Sequence, residues 1–462
     1  MKRRDFGLLA GTSLVTAAAL RPAQAQSAAP DPALLTTTLT PMGAERAGNA
    51  DGSIPPWTGG LVHPPLSPDQ AVGVRLFEDE QPLYTIDASN MMQYASLLTP
   101  ATQVQIQKFG MTLSVYPTHR TAAAPQYVYD NTAKNAVNAR LDPAGGRLGF
   151  TGAYGGVPFP IIDTSDPLIG GAQLIWNHLN GWGGFSTSST FNPGCVVING
   201  KLILVGSTIA KTIYPYFDPS GSLETYDGYL SKGHYYYVAP GAVVGQEVLT
   251  WHSSNVTLNP DITWSLLNGQ GRVRKDPNEA FDAPNPDSNG IASLDESSCF
   301  YGNPSQYDWS YIEKKEMLVP YNCNKQVFHD LADVLGPHFP NPAFIRWEKH
   351  RVWVVEANLH PGIHNVNAKR RFYIDEDSWF ALLGEGYDGD GVMWKGYAIY
   401  NQCEPSVPTT CEQGTATFQL QTGDYVFNGS VPYGKFREAE LNGVQQSPSI
   451  FEAQEMAARA SF

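Results

Sequence analysis

The feature that most restricts the fold is a set of strands that are apolar on both sides. In HRVWVVEANLHPGIHNVNAKRRFYIDEDSW, His350 to Trp379, a Pro-Gly turn separates two extended segments. Val352 and Val354 share one face with His350 and Glu356, while Trp353, Val355, Ala357 and Leu359 share the other with Arg351. The return strand repeats this, with Phe372 and Ile374 pointing one way and Arg371, Tyr373 and Asp375 the other. An antiparallel strand with one face in water alternates apolar and polar residues, so this sheet must be covered on both sides. Either helices and a second sheet cover it, or the sheet curls around a cavity whose mouth is closed by helices.

The rest of the chain fits that reading. From Pro193 onward strand signals dominate: CVVING, KLILVGSTI, HYYYVA, VLTWHSS, DITWSLLNGQGRVRK, YDWSYIEKKEMLVPYN, GVMWKGYAIYNQ and TATFQLQTGDYVFN, with turns at Asn199-Gly200 and Asp388 to Gly391. The 23 Tyr, 20 Phe and 10 Trp beside 44 Gly and 35 Pro suit short strands and tight turns. Helices are expected earlier: Asp87 to Leu98, a second one capped by Thr99 with Pro100 at its first position, and a third from Asp166 to Asn180. Helices first and strands later predict an α+β fold and exclude a parallel, doubly wound sheet. One domain is expected over residues 86–462, its long curled sheet carrying the 350–379 hairpin near the middle, with residues 26–85 as an extended arm.

Residues 1–25, MKRRDFGLLAGTSLVTAAALRPAQA, have a basic start, a short apolar run and a small-residue end, the pattern of an export signal. The pair Arg3-Arg4 suggests the twin-arginine route. Export places the mature chain in the periplasm. Losing Lys2, Arg3, Arg4, Arg21 and Asp5 makes the formal charge of −14 more negative by three, which argues against nucleic acid and anionic headgroups as main partners. In an oxidising compartment Cys403 and Cys411, bracketing EPSVPTT, are the expected disulfide, with Cys299 and Cys323 a second pair and Cys195 a buried small hydrophobe.

Enzyme signatures are sparse. The sequence has no G-x-S-x-G, Walker, H-E-x-x-H or C-x-x-C motif. His360 and His364 flank a Pro-Gly turn, Asp388 and Asp390 read as turn residues, and Asp375, Glu376 and Asp377 as a solvated edge. No metal or cofactor is expected. Strand parity and aromatic character select Trp251, Trp264, Trp353, Val355, Phe372 and Tyr373 as cavity lining. Arg351 and Arg371 need carboxylate partners, for Arg371 the nearby Asp375 and Glu376. Arg272 and Arg274 are expected at the cavity mouth, facing the cargo.

Several stretches resemble one bacterial family. LTPMGAERAGNADGSIPPWTGG (Leu39 to Gly60), GVPFP (156–160), IWNHL (175–179), LLNGQGRVRKDPN (266–278), YDWSYIEKKEMLVPYN (307–322), RWEKHRVWVVEANL and AKRRFYIDEDSW are similar to the family called domain of unknown function thirteen-twenty-nine. The resemblance implies a periplasmic protein built like outer-membrane lipoprotein-sorting carriers, an unclosed antiparallel half-barrel with covering helices. It also implies hydrophobic cargo and, as partners, a resistance-nodulation-type exporter and an outer-membrane β-barrel. No catalytic residue comes with it. The sequence departs from the family in its twin-arginine start, its cysteines and the segment Asn322 to Phe344. The expected function is a carrier for a lipid-like molecule. The alternatives are an exported enzyme acting on a hydrophobic compound and an assembly factor for the outer-membrane barrel.

Overall fold

The computed structural model describes residues 30–62, 75–276, 282–405, 407–429, 439–441 and 446–460; the export signal lies outside them. The chain runs through β1 (Tyr84–Ile86), α1 (Pro100–Phe109), β2 (Leu113–Val115), α2 (Gln126–Asn138), β3 (Arg140–Leu141), β4 (Phe150–Thr151) and α3 (Pro167–Leu179). Six strands follow: β5 (Ser186–Ile198), β6 (Lys201–Ile213), β7 (Tyr229–Ala239), β8 (Glu247–Ser253), β9 (Ile262–Leu266) and β10 (Arg274–Lys275). Next come β11 (Tyr307–Pro320), α4 (Leu331–Val334), β12 (Trp347–Leu359), β13 (Lys369–Asp375), β14 (Ala381–Tyr387), β15 (Met393–Glu404), β16 (Thr409–Gln419), β17 (Tyr425–Gly429), β18 (Ala439–Leu441) and α5 (Ala453–Ala460).

Sixteen of these strands form one sheet in the order β1-β2-β12-β13-β14-β15-β16-β17-β5-β6-β7-β8-β9-β10, with β11 added to β12 and β18 to β5. Every pairing is antiparallel except the contact of Val115 in β2 with Trp347 in β12. Among the described residues β11 pairs only with β12 and β10 only with β9, so the curled sheet is not closed. The fold is the expected α+β half-barrel. The 350–379 hairpin, expected near the middle, lies instead beside the β11 end. The central junction is β17 on β5, made by a strand from late in the chain.

Local chemistry explains the helices that were foreseen. Thr99 accepts from the Thr102 amide, Pro100 opens α1, and Gly110 at φ 75° ends it in the left-handed conformation. Asp166 accepts from Leu168 N and Pro167 opens α3. The expected helix from Asp87 to Leu98 is only a 3-10 turn, Met91–Leu97. The Asp87 side chain accepts from Ser89 N and the Asn90 side chain from Asp87 N, a local alternative to helical hydrogen bonds. Helix α2 was not anticipated. Its sequence, with three Asn, two Val and a Thr, propagates a helix poorly, and tertiary bonds hold it: Asn135 bridges Val157 O and Tyr154 N, and Thr132 receives Val157 N.

Both faces of the hairpin are covered by the chain's own elements. Val355 opposes Phe372 and Trp353 opposes Ile374 on one face, with Trp309 of β11 opposite Ala357. There Phe300, from the segment between β10 and β11, packs against Trp309 and Phe372 at ring separations of 5.0 and 6.0 Å. On the other face Tyr373 and Glu385 meet the start of α1, where the Ala101 amide donates to Glu385. Gly171 lets α3 press on β11, because a Cβ there would lie 2.5 Å from the Trp309 carbonyl and the Ser310 nitrogen. At the Asn199-Gly200 turn both residues have positive φ, 51° and 74°, as a two-residue hairpin requires.

Candidate functional site

The eight residues proposed as ligand contacts fall in three places. Val355, Phe372 and Tyr373 are fully buried in the main core, with Trp353 half-buried against it. Phe372 and Tyr373, being consecutive, face opposite sides of the sheet. Trp251 and Trp264 meet edge to face at 5.3 Å in a separate cluster beneath residues 448–456, and Trp251 Nε1 donates to Phe451 O at 2.9 Å. Arg272 and Arg274 are exposed at the β10 end, without an ion pair among the described residues. Arg371 pairs with Glu356 across the β12–β13 ladder at 2.8 Å and not with Asp375 or Glu376.

The expected disulfides are absent, and all five cysteines are free and buried. Cys403 opposes Thr410 and Cys411 opposes Gln402; since consecutive strand positions alternate sides, the two sulfurs point to opposite faces of the sheet. Cys323 gives its thiol to Arg346 O, and Cys299 lies in the covering segment beside Glu412. Burial pushes the Cys195, Cys323 and Cys403 thiols up to about 12.

Asp375, Glu376 and Asp377, expected at a solvated edge, are buried at the centre of an ion network. Arg120 holds Asp377 with two bonds, of 2.7 and 2.8 Å. Glu376 receives Arg351 at 3.0 Å, Lys314 at 2.6 Å and the Glu45 amide at 3.1 Å. His350 lies 3.5 Å from Asp375 and 3.3 Å from Glu348, under the ring of Tyr321. Burial opposes its charge, but those two carboxylates hold the imidazolium up to about 9. His350, Asp375 and Asp377 could bring three ligand atoms within 4.8 Å of one another. The Arg120 guanidinium already neutralises Asp377, however, and a cationic His350 repels a metal, so the trio is a structural ion network. It fastens residues 42–47: Trp379 Nε1 donates to Met42 O and Arg351 to Ala47 O.

A hollow lies elsewhere, between β7–β9, the end of α3 and residues 301–304. It measures about 40 Å³ and is lined by Trp176, Tyr214, Phe217, Ser231, His252, Asp261 and Tyr301 among others. Ser231 and Tyr301 share a hydrogen bond of 2.6 Å, and the His252 ring meets Tyr301 edge-on at 4.7 Å. Asp261 accepts from Ser253 N at 2.7 Å. Behind Tyr214 stand Tyr235 and Glu412, both still partly accessible. Burial raises the Glu412 carboxyl to about 7 against a hydrogen bond from Ser298, raises Asp261 and lowers His252. The sequence signal for this wall is the inward set Ser231, Gly233 and Tyr235 with Thr250 and His252, the parity opposite to Trp251. Selecting for large aromatics picked Trp251 and Trp264, on the side that residues 448–456 cover.

A second concavity, about 400 Å³, opens on the surface beside β1 and β2, lined by Leu83, Tyr84, Leu97, Val115, Tyr116 and Lys349 among others. No described helix is long and apolar enough to cross a membrane.

Comparison with known proteins gives a consistent family and no activity. A family model described as "Protein of unknown function (DUF1329)" matches residues 85–457. An uncharacterized protein of Pseudomonas aeruginosa is 35% identical over 378 residues, covering 79% of this chain and 80% of that protein. Among solved structures, a DUF1329 family protein from Desulfovibrio piger aligns with a TM-score of 0.42 at 13% identity, over 62% of this chain and 98% of that one. A LolA superfamily protein from Nitrosomonas europaea aligns with a TM-score of 0.35 at 8% identity, over 60% and 95% of the two chains. No residue's role is carried over from either.

Proposed function

We propose, from the premise that this chain belongs to the DUF1329 family of proteins of unknown function, that it is a periplasmic binding and carrier protein for an amphiphilic, lipid-like molecule. The observation that carries this reading is the hollow between α3 and strands β7–β9 of an unclosed sheet, walled by Trp176, Tyr214, Phe217 and Tyr301 and edged by polar groups. Ligand sites are concave, mostly apolar and supplied with a few placed polar atoms. Complete ligand pockets run to roughly 300–1,000 Å³, so a hollow of about 40 Å³ takes the polar end of such a molecule. The tail then follows the concave wall as residues 298–304 give way. Arg272, Arg274 and Lys275, exposed at the open end of the sheet, suit contact with an anionic surface during delivery. Purification from the native host without detergent, followed by organic extraction and mass spectrometry, tests the reading. A near-stoichiometric amphiphile is expected, and an empty extract from fully folded protein overturns it. A bound chromophore or metal in the same preparation would favour the exported enzyme.

A second reading is favoured by the surface concavity. β1 is an edge strand among the described residues and borders a groove of about 400 Å³ with Leu83 exposed at its lip. A strand of an exporter or an outer-membrane barrel could add there. Because the native cysteines are all buried, Leu83→Cys presents a single exposed thiol. Cross-linking from it in whole cells should capture an envelope protein under this reading, and only lipid or nothing if the groove has no such partner.

A further inference from the structure

The hollow has a one-sided charge. Its wall contains Asp261 and His252 but no lysine or arginine, and Glu412 stands behind Tyr214. Asp261 has no ion pair among the described residues; its hydrogen bond is to a backbone amide, and its nearest titratable neighbour is His252, which burial keeps neutral at pH 7. The rings of Trp176, Tyr214, Phe217 and Tyr301 make up much of the rest, beside neutral groups such as Asn180, Leu230 and Asn303. Two buried carboxylates elsewhere do have cations: Glu296 holds Lys395 and Asp295 holds Arg370. A carboxyl group without a cation in such an enclosure is costly to ionise, and burial raises Asp261 accordingly; a cation entering beside it would favour the charged form. Aromatic faces with a carboxylate beside them are the recognised surroundings of a substituted ammonium group.

We propose that the hollow between α3 and β7–β9 is an organic-cation site, in which the ring faces of Trp176, Tyr214 and Tyr301 and the carboxylate of Asp261 hold a compact alkylammonium group. This rests on the carrier reading and names its ligand class: an amphiphile whose polar end is an amine or quaternary ammonium. Anionic headgroups are disfavoured, because Asp261 and Glu412 would repel them with no cation in the wall to compensate. The volume suits the purpose. A cavity needs roughly 10–15 Å³ to hold one water, so about 40 Å³ takes a few waters or one compact group that displaces them.

The test uses choline and its uncharged isostere 3,3-dimethylbutan-1-ol as probes, titrated calorimetrically into the full mature protein. Choline is expected to bind at least tenfold more tightly than the isostere. Asp261→Asn keeps the acceptor for the Ser253 amide and the shape of the wall, so it should fold normally, lose at least tenfold in choline affinity and bind the alcohol unchanged. Tyr301→Leu, which leaves the carboxylate in place, should weaken both probes. Equal binding of the two probes, or choline binding unaffected in Asp261→Asn, overturns the cation site while leaving the carrier reading to its extraction test. Binding of neither probe to folded protein also overturns it. Should the native extract contain an amphiphile without nitrogen, the carrier reading stands and the cation assignment falls.

Discussion

At the level of single residues, the chain hides charge where its sequence suggested water. IDEDSW looks like a solvated edge because adjacent strand positions alternate faces and do not pair as acid and base; the partners Arg120 and Lys314 come from other elements. The need of Arg351 and Arg371 for carboxylates was legible; Arg351 finds Glu376, and Arg371 finds Glu356, the residue opposite it on the ladder. Removing one member of a buried pair strands the other, a loss of about 3–5 kcal/mol. Arg120→Ala should therefore destabilise the protein by about that much in urea melts, and a loss under about 1 kcal/mol, typical of exposed pairs, would show that Asp377 is hydrated after all. Among the raised groups, Glu412 and His350 act around and above neutral pH. The protonated form of Glu412 is favoured by folding between 4.5 and about 7, and the imidazolium of His350 between 6.5 and about 9. A group raised on folding stabilises below its unfolded value and loses that contribution as pH rises through its folded value. Melting temperature should thus fall across both windows on the way up. Glu412→Gln should flatten the lower window alone and His350→Gln the upper; profiles unchanged in both variants would refute the assignment. On the acid side Asp375 and Glu348, held low against the cost of burial by His350 and their hydrogen bonds, stabilise above the ordinary carboxylate range. That contribution is lost as pH falls through their depressed values.

At the level of elements, what local chemistry dictates was legible and what tertiary contact dictates was not. The caps at Thr99 and Asp166 and the turn at Asn199-Gly200 announce themselves within four residues. Helix α2 does not, because Asn135 and Thr132 are poor helix formers until Tyr154 and Val157 arrive to bond them. The strands were readable from their residues, but the order of strands was not: period-two patterns tell which side faces in and never which neighbour lies alongside. The Gly170-Gly171 pair in α3 looks like a weak point by propensity, yet it sets the distance between helix and sheet. Gly171→Ala should push α3 away from β11 and cost about 1–3 kcal/mol, the range for overpacked cores. Gly389→Ala, whose new methyl meets nothing within 4 Å, is the control and should leave the melting temperature unchanged. If the two variants melt alike, α3 is not seated as described.

At the scale of the whole molecule, the α+β class followed from helices preceding strands, and the two-sided apolar hairpin correctly required covers on both faces. It did not reveal that the covers bury Val355, Phe372 and Tyr373, or that a hollow lies between α3 and β7–β9. The sheet also joins distant parts of the chain: β5 meets β17 through Val197 and Tyr425, and the Glu45 amide meets Glu376 across 331 residues. A ribosome delivers these partners at opposite ends of its work. Until β17 emerges, one edge of β5 has no neighbour in the central sheet, and Glu45 and Arg120 wait for Glu376 and Asp377. Native structure therefore cannot accumulate gradually from the amino end, and contacts of such long sequence range slow folding. A nascent chain stopped after Leu420 should stay protease-sensitive and depend on a chaperone, whereas one extended past Gly429 should become resistant in a single step, as pulse-chase proteolysis can show. Resistance acquired stepwise before Leu420 would contradict this order of assembly. A chain that becomes native only when almost wholly made has little to gain from being threaded outward while it is still growing.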